Sequence, residues 1–172
     1  MKKLFKFLIT PVVQSKWYAD LLFAIPRIIC GFLLTSSFGA DKFGMPWSGA
    51  DRHLDLFEVA YWFPQDVAGY GGIFALFPVL FAWMGAFSEA VGGLFLALGL
   101  KTRIASFLIM CTMLVAIFMQ KWGGSVWGML PAMGFLWVSF YNLVLGSGRF
   151  GIDYLLSKKM KPSKIEIPLA QL

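Results

Sequence analysis

Apolar residues come in four long runs separated by polar breaks. The first covers residues 21–40 and is interrupted only by Pro26 and Arg27. The second lies within residues 71–100, with a helix expected over 74–100 and Glu89 as its sole charge. The third (104–120) and the fourth (126–145) contain no charge. A helix crossing the hydrocarbon core of a bilayer needs about 20 mostly apolar residues. Four such runs in a chain of 172 residues leave nothing to cover them in water. The pattern predicts one domain, an all-α membrane protein with an up-down-up-down four-helix transmembrane bundle.

The breaks differ in kind. Those at residues 101–103 and 120–125 are short, so the helices they join are antiparallel neighbours. Residues 41–70 form a long connection. Within it Leu54, Phe57 and Tyr61 recur at helical spacing beside Asp51, Asp55 and Glu58. This predicts a short helix lying on the outer interface and ended by Pro64. At the start, Lys2, Lys3 and Lys6 alternate with Leu4, Phe5 and Phe7. Residues 1–19 read as an interfacial amphipathic segment, because Lys6 breaks the apolar stretch that a signal peptide needs. Residues 154–172 carry Lys158, Lys159, Lys161 and Lys164, which predicts an extended basic tail near anionic lipid.

Composition agrees. Hydrophobic residues make up 59% and charged residues 14%, far from the roughly 25% charge of a soluble domain, and a disordered chain is excluded on the same ground. The net charge of +6 on so apolar a chain points to an anionic membrane surface and away from nucleic acid. Lys2, Lys3, Lys6, Lys16, Lys101, Arg103, Arg149 and the tail lysines fall on one side of the predicted bundle. Lys42, Arg52 and Lys121 fall on the other. That bias predicts that both termini face the cytoplasm.

Ionisable residues inside spans are where function is sought first. Arg27 is expected about 9 Å and Glu89 about 16 Å from the inner end, at 1.5 Å per residue. The arginine side chain can cover that difference, so an Arg27–Glu89 pair is expected, with Ser139 and Asn142 as neighbours on the inner half of the fourth helix. The pair reads either as a clasp fixing helix register or as the lining of a pocket for a proton or a polar head group. Gly85, Glu89, Gly92, Leu96 and Gly99, with Gly93 alongside, form a stripe of small residues that serves helix packing and turns Glu89 into the bundle.

Other motifs carry less. Gly146 to Gly151 matches GxGxxG, but it follows an apolar helix instead of a strand, so a helix-ending role replaces nucleotide binding. The single histidine, His53, falls outside the spans, which argues against haem and against a Ser-His-Asp arrangement. Cys30 and Cys111 read first as small buried hydrophobes, with a redox pair across helices as the alternative. Eighteen Phe, nine Met and seven Trp suffice either for a quinone-sized apolar slot or for a lipid-facing surface.

Four segments, in order, resemble a known pattern. Arg27-Ile-Ile-Cys-Gly31 opens the first helix and Gly39-Ala-Asp-Lys42 closes it. Glu89-Ala-Val-Gly92-Gly93 leads to Leu98-Gly99-Leu100-Lys101-Thr102-Arg103, and Gly146-Ser-Gly148-Arg149 leads to Asp153. From about Arg27 to Asp153 the chain is similar to the DoxX family of small four-helix bacterial membrane proteins. Phe38, Trp127 and Ser147 stand where members of that family often have His, Glu and Pro. The resemblance implies a bacterial inner-membrane protein, a membrane subunit or anchor of a quinone- or thiol-linked redox system, with a protein partner and a quinone as carrier. Such a chain would be an oxidoreductase subunit and not an enzyme alone. Arg27, Glu89 and Asn142 would line its pocket. The alternative is a non-catalytic scaffold or homo-oligomer in which Arg27–Glu89 is purely structural.

Overall fold

The computed structural model describes residues 7–48 and 53–159. Seven helices are named: α1 (Trp17–Gly39), α2 (Phe63–Ala68), α3 (Gly72–Leu76), α4 (Pro78–Leu98), α5 (Thr102–Gln120), α6 (Val126–Leu145) and α7 (Ile152–Lys159). Among the described residues, strand pairing is limited to one isolated bridge, Phe43 with Val59. The helices α1, α4, α5 and α6 are long and apolar enough to cross a membrane. They close a ring, α1 on α4, α4 on α5, α5 on α6 and α6 back on α1. The chain is an all-α four-helix membrane bundle. Leu22, Ile29, Phe32, Val126, Trp137 and Val144 point outward from α1 and α6, as a lipid-facing surface requires.

Close backbone approach holds α1 to α4. A Cβ on Gly31 would lie 2.5 Å from the Ala97 nitrogen and 2.6 Å from the Gly93 oxygen, and one on Gly93 would lie 2.8 Å from Leu34 Cβ. Lipid offers no hydrophobic drive between helices, so contact this intimate is how they associate. Beneath the crossing, Leu34, Leu96, Ala105, Ile109, Met113, Phe135 and Val138 form one core.

Three spans carry π-helical turns, Leu34–Gly39 in α1, Ser88–Gly92 in α4 and Ala116–Gln120 in α5. The first two pack on each other, and Thr35 Oγ1 donates to the Ala90 carbonyl at 2.6 Å. Because Gly39 already lies against Ala90, α1 stops about half-way along α4. Residues 40–48 and 53–76 fold into the vacated half. Phe43 is fully buried, with its ring edge-on to Trp83 and Phe87. Phe43, Phe63, Val67, Ala82, Ala86 and Ala90 form a second core.

Four expectations change. The surface helix over Leu54, Phe57 and Tyr61 is absent. The described part of that stretch is irregular, with Phe57 at φ 66°, and carries the Phe43–Val59 bridge. Pro64 begins helix α2 instead of ending one, since proline at the first turn loses no helix bond. The second apolar run is broken at Phe77, because Pro78 disfavours helical geometry in the residue before it, so α4 starts at Pro78. The tail is helical over Ile152–Lys159 where an extended chain was expected. Residues 1–6 of the expected interfacial segment, Asp51 and Arg52, and tail residues 160–172 lie outside the described residues.

The crossing makes a direct prediction. Gly93→Val should destabilise the detergent-solubilised protein by about 1–3 kcal/mol, the usual cost of overpacking. Gly128→Ala, where an added Cβ meets nothing within 4 Å, should leave the melting temperature unchanged or raised. Equal melting temperatures for the two variants would remove the crossing from the account.

Candidate functional site

The polar residues sort into two groups at different depths. The first gathers at the end of the bundle formed by the α4–α5 turn, here the basic end. Helix α4 stops at Leu98 with Gly99 at φ 66°, leaving its last carbonyls without helical partners. Arg27, 1% exposed, takes them. Its guanidinium donates to Leu96 O at 2.6 Å and Ala97 O at 3.1 Å, and to Phe150 O at 2.8 Å. A cation there also opposes the negative end of the helix dipole. The next helix is capped by a distant residue. Asp153 accepts from the Lys101 and Thr102 backbone N–H groups at 2.7 and 2.9 Å and from the Thr102 hydroxyl at 2.9 Å. Arg149 Nε meets Asp20 Oδ2 at 2.8 Å, and Arg149 Nη2 donates to Gln14 O. Arg103 donates to the carbonyls of Phe7 and Val144.

The second group lies in the other half. Lys42 follows the end of α1, and its Nζ meets Glu89 Oε2 at 2.6 Å, with the Glu89 side chain 6% and the Lys42 side chain 17% exposed. The ammonium also stands 5.1 Å from the centre of the Phe63 ring. The pair borders a cleft of about 220 Å³ between α4 and α5, roofed by Phe63, Val67, Tyr70 and Phe74. Phe81, Met84, Leu108 and Val115 form apolar walls, and Ser88, Cys111, Thr112 and Gln120 add polar atoms. Ser88 is 1% exposed, and its hydroxyl has no hydrogen-bond partner. The three π-turns converge here: the α1 turn leads to Lys42, the α4 turn carries Ser88 and Glu89, and the α5 turn carries Ala116 and Gln120. Such turns are rare and concentrate at functional sites. The Tyr70 hydroxyl is pushed above its ordinary pKa, first by burial and then by the negative charges of Asp66 and Glu89.

The expected Arg27–Glu89 pair does not form. Arg27 finds the carbonyls at the end of α4 closer to hand, whereas Glu89 lies level with the end of α1, where Lys42 enters. Asn142 shares a small hollow with Arg27 and Asp20, but its amide donates to Val138 O of its own helix at 2.8 Å, and Glu89 is not in that hollow. Ser139 is fully buried away from the cleft. Cys30 and Cys111 are both free thiols; Cys30 packs against the core beneath the crossing and Cys111 borders the cleft.

The family model described as DoxX matches residues 22–122. The chain belongs to the DoxX family. A second model, described as TQO small subunit DoxD, matches residues 73–172. No curated protein and no solved structure matches the chain. The DoxX-like segments divide between the two groups. Gly31, Gly92 and Gly93 serve the helix crossings, and Gly39 with Lys42 closes α1 at the cleft. Gly99, Arg103, Gly146, Gly148, Arg149 and Asp153 build the basic end. In this member of the DoxX family the fold brings Lys42 and Glu89 into one site and Arg27 and Asp153 into another.

Reading the runs alone missed Lys42 as the partner of Glu89, and it missed Tyr70, Ser88 and Cys111. The available signal was the cation three residues past Gly39, within reach of a span that ends early. Asp20 was missed because the first span was started one residue too late to include it.

Asp153→Asn removes the charge that caps α5 and should destabilise the protein by about 0.5–2 kcal/mol, the range for a lost helix cap. Thermal unfolding of the variant in detergent checks this, and an unchanged midpoint would show that the cap contributes nothing.

Proposed function

We propose that the protein is the membrane subunit of a redox system and that its cleft holds the ring of a lipophilic quinone for a partner protein. The observation that carries this reading is a buried lysine–carboxylate pair and a serine hydroxyl without a partner among the described residues, inside a largely apolar cleft. An apolar cavity of about 150 Å³ binds benzene, so about 220 Å³ admits a substituted ring. Phe63, Phe74 and Phe81 offer faces for stacking. Lys42 and Ser88 offer donors for a ring oxygen, and Glu89 offers an acceptor for a ring hydroxyl. A quinone, when bound, supplies two-electron, two-proton carrier chemistry. The chain itself binds, orients and keeps bulk water from the ring. The DoxD match supports the same reading, because that model describes the small subunit of an oxidoreductase. The lysine bias supports an inner-membrane orientation with both termini in the cytoplasm.

Native mass spectrometry of the protein from mild detergent, with organic extraction of what copurifies, tests this. The expected result is a quinone at up to one per chain. Glu89→Gln should lower that amount several-fold, and so should Met84→Trp, which fills the cleft. Phospholipid alone, extracted equally from wild type and both variants, contradicts the proposal.

A further inference from the structure

We infer that Glu89 exchanges protons with water only at the end of the bundle opposite the basic end, through Tyr70 and then Asp66. This deepens the carrier reading, on which its use rests: protons leaving or reaching a bound ring would pass to one face of the membrane.

Three observations carry it. First, the way toward the basic end is filled. Ile109 and Leu96 are fully buried, and Ile109 packs against Gly92, 3.5 Å from where its Cβ would be. Below them Arg27 and Asp153 close the helix ends. Second, the way out is polar. Tyr70 and Glu89 border the same cleft. Asp66 stands one helical turn before Tyr70, and that turn is continued by the Gly69 N to Gln65 O and Tyr70 N to Val67 O bonds. Glu89 is buried, Tyr70 half-buried and Asp66 exposed, so the three groups step from the mid-span to the surface. Third, Tyr70 registers both neighbours, since its hydroxyl is held up first by burial and then by the charges of Asp66 and Glu89. With no ring bound, a volume of about 220 Å³ holds several waters at about 30 Å³ each, enough to bridge Glu89 and Tyr70.

The step balances without a redox partner. A protonated Glu89 gives its proton, through water, to the Tyr70 oxygen, while the Tyr70 hydroxyl proton passes to the Asp66 carboxylate and on to solvent. The reverse order reloads Glu89. The other titratable groups at Glu89 are Lys42, from the turn after α1, and Cys111, from α5. Asp41, beside Lys42, has interactions of its own, and α6 contributes no residue to the cleft. Of these, Lys42 Nζ stands 2.6 Å from Glu89 Oε2. Chains of carboxylates and other ionisable groups within spans are a recurrent means of moving protons in membrane proteins.

The test is infrared spectroscopy of the full chain in lipid nanodiscs after a pH jump, with no quinone added, so its outcome is separate from that of the extraction experiment. The protonated Glu89 carboxyl band is assigned by its loss in Glu89→Gln and, should that variant fold poorly, by its displacement in Glu89→Asp. Tyr70→Phe, which keeps the ring against Phe74, should slow the band's appearance at least about tenfold, Asp66→Asn should slow it less, and Ser106→Ala, on the basic side, should not change it. An unchanged rate in Tyr70→Phe overturns the inference. So does a slowed rate in Ser106→Ala, or the absence of a titrating Glu89 band.

Discussion

A carboxylate half-way along a membrane span must be met by a cation or give up its charge, and the half of this bundle opposite the basic end is arranged around that requirement. Here the carboxylate is Glu89. It is met by Lys42 at 2.6 Å, which is possible only because α1 ends early enough for its following turn to enter the bundle at that depth. The early end in turn leaves half of α4 uncovered. Residues 40–48 and 53–76 take the place of the missing helix, and their Phe43, Phe63 and Val67 make the second core with Ala82, Ala86 and Ala90 of α4. The cleft is what remains between that substitute and α5. Ion pair, inserted connection and cleft are thus one structural decision.

The basic end answers a different constraint. Lipid supplies no hydrogen bonds, so the exposed ends of spans must find partners within the protein. Here charged side chains from elsewhere in the chain do the capping. Arg27 closes the end of α4, Asp153 opens α5 and Arg103 receives the last turn of α6 through Val144. A buried cation that serves three carbonyls is a fastening, which frees Glu89 to be the group that differs from a structural one. The two charges that look like partners in the sequence belong to separate devices.

How much was legible follows from which interactions are local. The four spans could be read because length and hydropathy alone decide insertion, and the short turns made α4, α5 and α6 neighbours. The order Arg27, Lys42, Glu89 and Arg149 carried the DoxX resemblance. The Arg27–Glu89 pairing failed because depth was counted along straight helices, whereas the true partners were set by where α1 and α4 stop. A π-turn leaves no mark in composition, and neither does the burial of a connection such as 40–76, whose polar residues disguise Phe43, Phe63 and Val67 as loop. Pro64 and Pro78 were informative signals, one read with the wrong sense and the other passed over.

The central claim is that Lys42, and not Arg27, holds Glu89. Charge exchange tests it most directly, by thermal unfolding of the purified protein. Lys42→Glu and Glu89→Lys should each lower the melting temperature, and their combination should recover most of the loss, with a coupling of about 0.5–3 kcal/mol. Arg27→Glu combined with Glu89→Arg should recover nothing. Additive losses for the Lys42 pair, or recovery in the Arg27 pair, would contradict the account.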